Sequence, residues 1–391
     1  GAAGAVLTGV VVGAARGGPV AGAAPPALPR CAAACVSAGL AALLAQVTRH
    51  SRGVYTWSLL VLAASYVRRG VGDVTRTWLT WLSPLGWAEK AAPFGDQRWW
   101  ALAIPLAAGL ALCAAALRLA AHRDLGSALI RNSAGPGRSA GLRHPIGVAV
   151  WIHRPAILGW LAGGVLLPGM LGALPQQFLD MVAGNPALAD AWGIASGRPM
   201  DGFVAATQLY LAVIAAGYVV QAIGTLRAEE AEGRLEARLS GMVSRSRLLA
   251  SHALVVLGGL ITIVLGSSLV LGLTTALSVG DTAELAPILE SGLAYLPAEL
   301  VLGGLALALY GLRPRLFGAA WAAYAAITFI AFLGPGLKLR QWVLDLSPTT
   351  HVGDPPAGAI HADALTALAA VAVALIAVGF AAFRRRGVPQ G

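Results

Sequence analysis

Charge is what this chain has least of. Asp, Glu, Lys and Arg together make up 12% of its 391 residues, about half the share found in soluble globular proteins. A water-exposed surface cannot be built from that supply, so a soluble domain is excluded. Lysine is almost missing: Lys90 and Lys338 are the only two, and they follow Glu89 and Leu337. A phosphate-binding loop ending in Gly-Lys-Ser/Thr is therefore excluded. No His-Glu-x-x-His or Cys-x-x-Cys occurs either, which removes the usual metallopeptidase and dithiol redox constellations. Cysteine is scarce, and Cys31, Cys35 and Cys113 lie in apolar runs, where a thiol acts as a small packing residue. The seven histidines, His50, His122, His144, His153, His252, His351 and His361, are scattered and form no metal-ligand pattern.

What the chain has instead is hydrophobicity, 57% of residues with a mean hydropathy of +0.71. Stretches of about 20 apolar residues, the length that crosses a hydrocarbon core, recur along it. Ten candidates are read: 2–12, 31–47, 54–67, 99–119, 156–174, 203–225, 248–275, 293–312, 317–333 and 364–383. None alternates polar and apolar residues as a barrel strand does, so helices must satisfy the backbone in lipid. The fold class is all-α, a polytopic transmembrane helix bundle.

A net charge of +10 points to nucleic acid only when it clusters on a soluble face. Here the arginines fall in alternate loops, at Arg49 and Arg52, from Arg123 to Arg154, from Arg227 to Arg247, at Arg313 and Arg315, and from Arg384 to Arg386. These loops are cytoplasmic by the positive-inside rule, and only Arg68 and Arg69 oppose that orientation. The intervening loops carry acidic residues such as Asp180, Asp281, Glu284 and Asp354. The lipid bilayer is thus the chain's main partner, and nucleic acid is not.

The sequence also matches itself at an offset of 264 (303 − 39). Gly39 pairs with Gly303, Trp57 with Trp321, and Trp78, Leu82, Ser83 and Pro84 with Trp342, Leu346, Ser347 and Pro348. Two Trp pairs and a Leu-Ser-Pro triplet in one register imply two pseudo-repeated six-helix halves in parallel orientation. The partner of the charged loop near Glu229 would fall at 229 − 264 = −35, so the first half reads as truncated by about a hundred residues. This gives residues 1–121 as the remainder of the first half, 122–155 as a cytoplasmic linker and elbow, and 156–391 as the second half. The outer stretches 71–97 and 334–363 read as short interfacial helices, rich in Trp as such positions are.

The densest charge lies over 226–247. Glu230 and Arg234 stand in the favourable i,i+4 order, Ala231, Leu235 and Leu239 share a stripe, and Ser244 suits the N-cap of the next span. A short amphipathic helix at the interface is predicted. The pattern Glu229-Glu230-x-x-Gly233-Arg234-x-Glu236, followed by Leu239 and Ser244-Arg245, resembles the coupling-helix segment of type-two ABC transporter permeases. Across both halves the chain is similar to the membrane subunits of actinobacterial polyketide-antibiotic and multidrug ABC exporters of the tetronasin type, although Gly241-Met242 stand where a Thr-Pro is common.

That resemblance implies a multi-pass permease of the bacterial plasma membrane, with no catalytic site or bound cofactor of its own. ATP and Mg would sit on a separate P-loop ATP-binding subunit, present in two copies and docked on Glu229, Glu230, Gly233, Arg234, Glu236, Leu239, Ser244 and Arg245. Small hydrophobic or amphipathic compounds would be the cargo. For a substrate pathway the residues offer Glu299, a carboxylate inside a span and costly there, and Gln208, Tyr210, Tyr218 and Gln221 at near-helical spacing. Two other readings stay open: a proton-coupled drug antiporter that uses Glu299, and a membrane scaffold without transport.

Overall fold

The computed structural model describes residues 24–47, 98–121, 141, 144–175, 199–235 and 244–386, with isolated positions between 54 and 87 and at 180. The chain divides into two compact units, Gly1–Gly137 and Arg138–Gly391. Among the described residues, seven helices are long and apolar enough to cross a membrane.

In the first unit, α1 (Ala24–Val47) packs against α2 (Ala103–Ala121). The two backbones meet at glycines. A Cβ on Gly39 would lie 2.7 Å from the Gly109 carbonyl oxygen, and one on Gly109 would lie 2.9 Å from the Cys35 carbonyl carbon. Small residues allow this approach where lipid supplies no hydrophobic drive between helices.

The second unit holds α3 (Pro145–Leu171), α4 (Pro199–Ala231), α5 (Arg245–Val279), α6 (Leu285–Ala294), α7 (Leu296–Leu312), α8 (Gly318–Leu333) and α9 (Ala362–Arg385). Local chemistry sets their ends. Helix α4 opens on Pro199, with Asp201 in its first turn, a pairing suited to an N-terminus. Ser244 caps α5 by accepting from the Arg247 amide, and Gly280 closes it at φ 78°, the left-handed position that glycine adopts without strain. Helices α6 and α7 are one broken span: Pro297 has no N–H to continue the ladder, and the helix breaks at Tyr295.

Helix α4 is the centre of this unit, with 78% of its apolar window buried against 11% for α9. Tyr218, Leu226, Leu248, Leu260, Ile263, Tyr310 and Phe383 form the main core between α4, α5, α7 and α9. Facing outward, α5 exposes Leu254, Leu257, Ile261, Leu265, Leu269 and Leu273, an apolar stripe suited to lipid. Helix α9 packs on α7 through Gly304, Gly311 and Gly379.

Two sequence readings differ from the structure here. The span predicted from 156 starts at Pro145, because Pro155 is carried inside the helix instead of ending it; membrane helices tolerate that when neighbours satisfy the freed carbonyl. The span predicted over 293–312 reaches back through α6 to Thr282 and breaks at Tyr295, which puts Glu299 in the first turn of α7. The predicted spans 2–12 and much of 54–67, with the Leu-Ser-Pro copy at 82–84, lie outside the described residues.

Candidate functional site

Helices α4 and α5 have 33 and 35 residues. At about 1.5 Å per residue each is roughly 50 Å long, well beyond the ~30 Å hydrocarbon core. Their facing ends, Glu229 and Glu230 on α4 and Arg245 on α5, stand on the side marked by Arg313, Arg315 and Arg384–Arg386, the side that the positive-inside rule reads as cytoplasmic.

Two carboxylates in the last turn of a helix oppose its dipole, so cations are needed there, and the fold supplies two. Arg234 donates to Glu229 Oε1 through Nε at 2.9 Å and Nη2 at 2.6 Å, and pairs with Glu232 as well. This hydrogen bonding holds the guanidinium above its usual range. Gly233, at φ 71°, makes the reversal that brings Arg234 back alongside Glu229, and Leu235 is fully buried just after it.

Glu230 turns inward instead. Its Oε2 accepts from the Tyr310 hydroxyl at 2.7 Å and from Arg386 Nη2 at 2.8 Å. The Arg386 guanidinium also lies over the rings of Tyr310 and Phe383, 5.3 and 5.5 Å from their centroids, and the Arg386 carbonyl accepts from Arg245 Nη1 at 2.6 Å. The residues flanking the charged loop, Glu230 before it and Arg245 after it, are thus fastened to a single residue just past the end of α9.

This geometry corrects the sequence reading in three ways. The predicted Glu230–Arg234 pair does not form, because the helix ends at Ala231 and the i,i+4 relation stops with it. No separate helix begins at 226; residues 226–231 are the last turns of α4. Glu229 is buried and Glu230, with 8% of its side chain exposed, is nearly so, both held within the chain, while Arg234 and Glu232 keep 43% and 53% of their side-chain surface exposed. Ser244 does cap α5. Glu236 and Leu239 lie outside the described residues.

The polar residues of α4 separate into contacts with different helices. Gln208 Nε2 donates to the Ile288 carbonyl of α6 at 2.7 Å and to Ser268 Oγ of α5 at 3.3 Å. Tyr218 donates to the Val256 carbonyl at 3.3 Å. Gln221 Oε1 accepts from Trp160 Nε1 at 2.6 Å, and Tyr210, half exposed, stacks on Phe332 at 4.4 Å. These contacts fasten α4 to α6, α5, α3 and α8, the common use of polar groups between membrane helices. Gln208→Leu would remove the bonds that tie α4 to α6 and α5, while the Ile288 carbonyl keeps the Ser291 hydroxyl, at a cost of about 1 kcal/mol. A lower melting temperature in detergent, with Tyr210→Leu nearly silent, is the expected result.

Glu299 stands apart. It is 2% exposed and neither carboxyl oxygen has a hydrogen-bond partner. Two small cavities of about 10 Å³ each touch it.

Sequence reasoning missed two constellations. Arg386 reads in the sequence as one of three terminal arginines, and Tyr310 as part of a span; the only clue to their roles is that a nearly buried Glu230 must find a partner. His153 and His252 read as scattered, yet they meet fully within the bundle, Nε2 to Nδ1 at 3.0 Å, bridging α3 and α5. Among the described residues no group of three His, Cys, Asp or Glu side chains could hold a metal ion.

With seven helices long and apolar enough to cross a membrane among its described residues, the chain is a multi-pass membrane protein, and its relatives give its kind. The family model for the C-terminal domain of the multidrug efflux system permease Rv1217c matches residues 142–384. The chain is also 32% identical over 353 residues to the multidrug efflux system permease protein Rv1217c of Mycobacterium tuberculosis (strain ATCC 25618 / H37Rv), an alignment covering 89% of this chain and 64% of that protein. The chain belongs to the Rv1217c permease family and lies in the plasma membrane. It spans a little under two thirds of the length of that relative.

Proposed function

We propose that this chain is the membrane-embedded permease part of an ATP-driven exporter that moves hydrophobic or amphipathic compounds out of the cell. ATP and Mg bind to a separate P-loop subunit, in two copies, and the chain contributes no catalytic group of its own. The observation that carries this reading is the charged loop between α4 and α5, whose two flanks are fastened at Arg386. A push on such a loop cannot be absorbed locally: it moves α4 through Glu230, α5 through Arg245, α7 through Tyr310 and α9 through Phe383. That is what a transmission element between an ATPase and a helix bundle requires, because coupling needs a physical element that both sites bias. The permease name of the relative supports a drug-like cargo.

The exposed members of the loop's ion pairs are the ones placed to meet a partner. Glu232→Ala, which leaves the Arg234–Glu229 bonds in place, is expected to weaken co-purification with the ATP-binding subunit while leaving the melting temperature of the chain within about a degree or two, since an exposed pair contributes about 0–1 kcal/mol. Undiminished co-purification and ATPase coupling in this variant would remove the loop's exposed face from the interface.

A further inference from the structure

Glu299 is used by none of this. Its first-turn position in α7 follows a break in the middle of a 31-residue span, Thr282–Leu312, and broken spans are where membrane transporters place ion sites. The surroundings are polar on one side: Gln208 from α4, Ser267 and Ser268 from α5, and Tyr295 from the break line one cavity with it. The second cavity is lined by Tyr324 and Thr328 of α8 and by Thr349 of the outer loop. Each has room for about one water. The Tyr295 hydroxyl, like both Glu299 oxygens, is buried without a partner.

No cation among the described residues pairs with Glu299. The titratable groups that face it are the phenols Tyr295 and Tyr324, with Asp354 acting on Tyr295 from the outer loop. A whole cargo molecule bearing an ammonium group does not fit spaces of this size, but a proton and a relaying water do.

We propose that Glu299 is an exchangeable proton site within the membrane, loaded and emptied through the two cavities that flank it. In one direction the carboxylic O–H breaks, the proton passes to a water in the adjoining cavity, and a carboxylate remains; in the other, a hydronium returns it. This goes beyond the ATP-driven reading and does not depend on it, since occupancy by a proton needs neither nucleotide nor partner subunit.

The test is chemical labelling in membranes that carry the protein. Dicyclohexylcarbodiimide partitions into lipid and adds to protonated carboxyls, leaving an N-acylurea that mass spectrometry locates. Labelling is expected on the peptide containing Glu299, falling about ten-fold per pH unit above the carboxyl's midpoint, and lost in Glu299→Gln. The glutamine variant keeps shape and hydrogen-bonding capacity; Glu299→Asp, which retains the carboxyl, should still label and serves if the amide fails to fold. Absence of the adduct, or labelling that does not change with pH, would overturn the proposal. Protection by sodium at constant pH would also overturn it, by showing that a metal cation takes the site instead of a proton.

Discussion

Arg386→Glu is expected to uncouple the permease and destabilise it together. Glu230 is nearly buried at the end of α4, and removing the cation from a buried pair costs about 3–5 kcal/mol because the remaining charge stays desolvated. A second carboxylate in its place adds repulsion. The Arg386 side chain also leaves the faces of Tyr310 and Phe383, which forfeits roughly a further kcal/mol of cation–π attraction. The melting temperature should drop by many degrees, and stimulation of the partner's ATPase by hydrophobic compounds should vanish. The charge swap Glu230→Arg with Arg386→Glu should recover part of the stability but not all, because the aromatic contacts favour a cation on the α9 side. Equal stability of the single and the swapped variants would mean that the pair does not hold the loop.

The other large effect is steric. Gly379 sits where α9 crosses α7, and a Cβ there would lie 2.9 Å from the carbonyl carbon, carbonyl oxygen and Cγ of Leu307. Helix backbone cannot yield as a side-chain tip can, so Gly379→Val is expected to cost about 3 kcal/mol, the upper part of the range for overpacking. It should also displace Arg386, two turns further on, and reduce coupling. Gly258 of α5 has nothing within 4 Å of its would-be Cβ. Gly258→Val should therefore be neutral or slightly stabilising, since glycine is the poorer helix former. Melting curves of the two variants in one detergent make the comparison; loss of stability in both, to the same extent, would contradict the close packing at Gly379.

The membrane helices were legible because lipid imposes a simple rule: a backbone that crosses it must close its own hydrogen bonds, and a run of some twenty apolar residues does so as a helix. The offset of 264 was legible as a set of matched residues. Adding it to α1 gives 288–311, from within α6 to near the end of α7, and adding it to α2 gives 367–385, within α9. Helix α1 packs on α2, and α7 on α9. The break at Tyr295 was not legible as a break, because one proline near the start of an apolar run also suits an ordinary helix start. The loop's chemistry was visible only as local pairs. Partners 156 residues apart, such as Glu230 and Arg386, or 99 apart, such as His153 and His252, leave no trace in spacing. For the same reason Glu230 looked like a surface residue of a short helix, when the helix continues and turns it inward.

Drive by a separate ATPase through the loop between α4 and α5, as proposed, has a direct readout in inside-out vesicles holding the chain and a P-loop partner: accumulation of a lipophilic fluorescent dye. Accumulation should need both ATP and the partner subunit, persist when a protonophore dissipates the pH gradient, and be lost in Arg386→Glu. Accumulation driven by an imposed pH gradient without ATP or the partner would overturn the proposal and make the chain a proton-coupled antiporter.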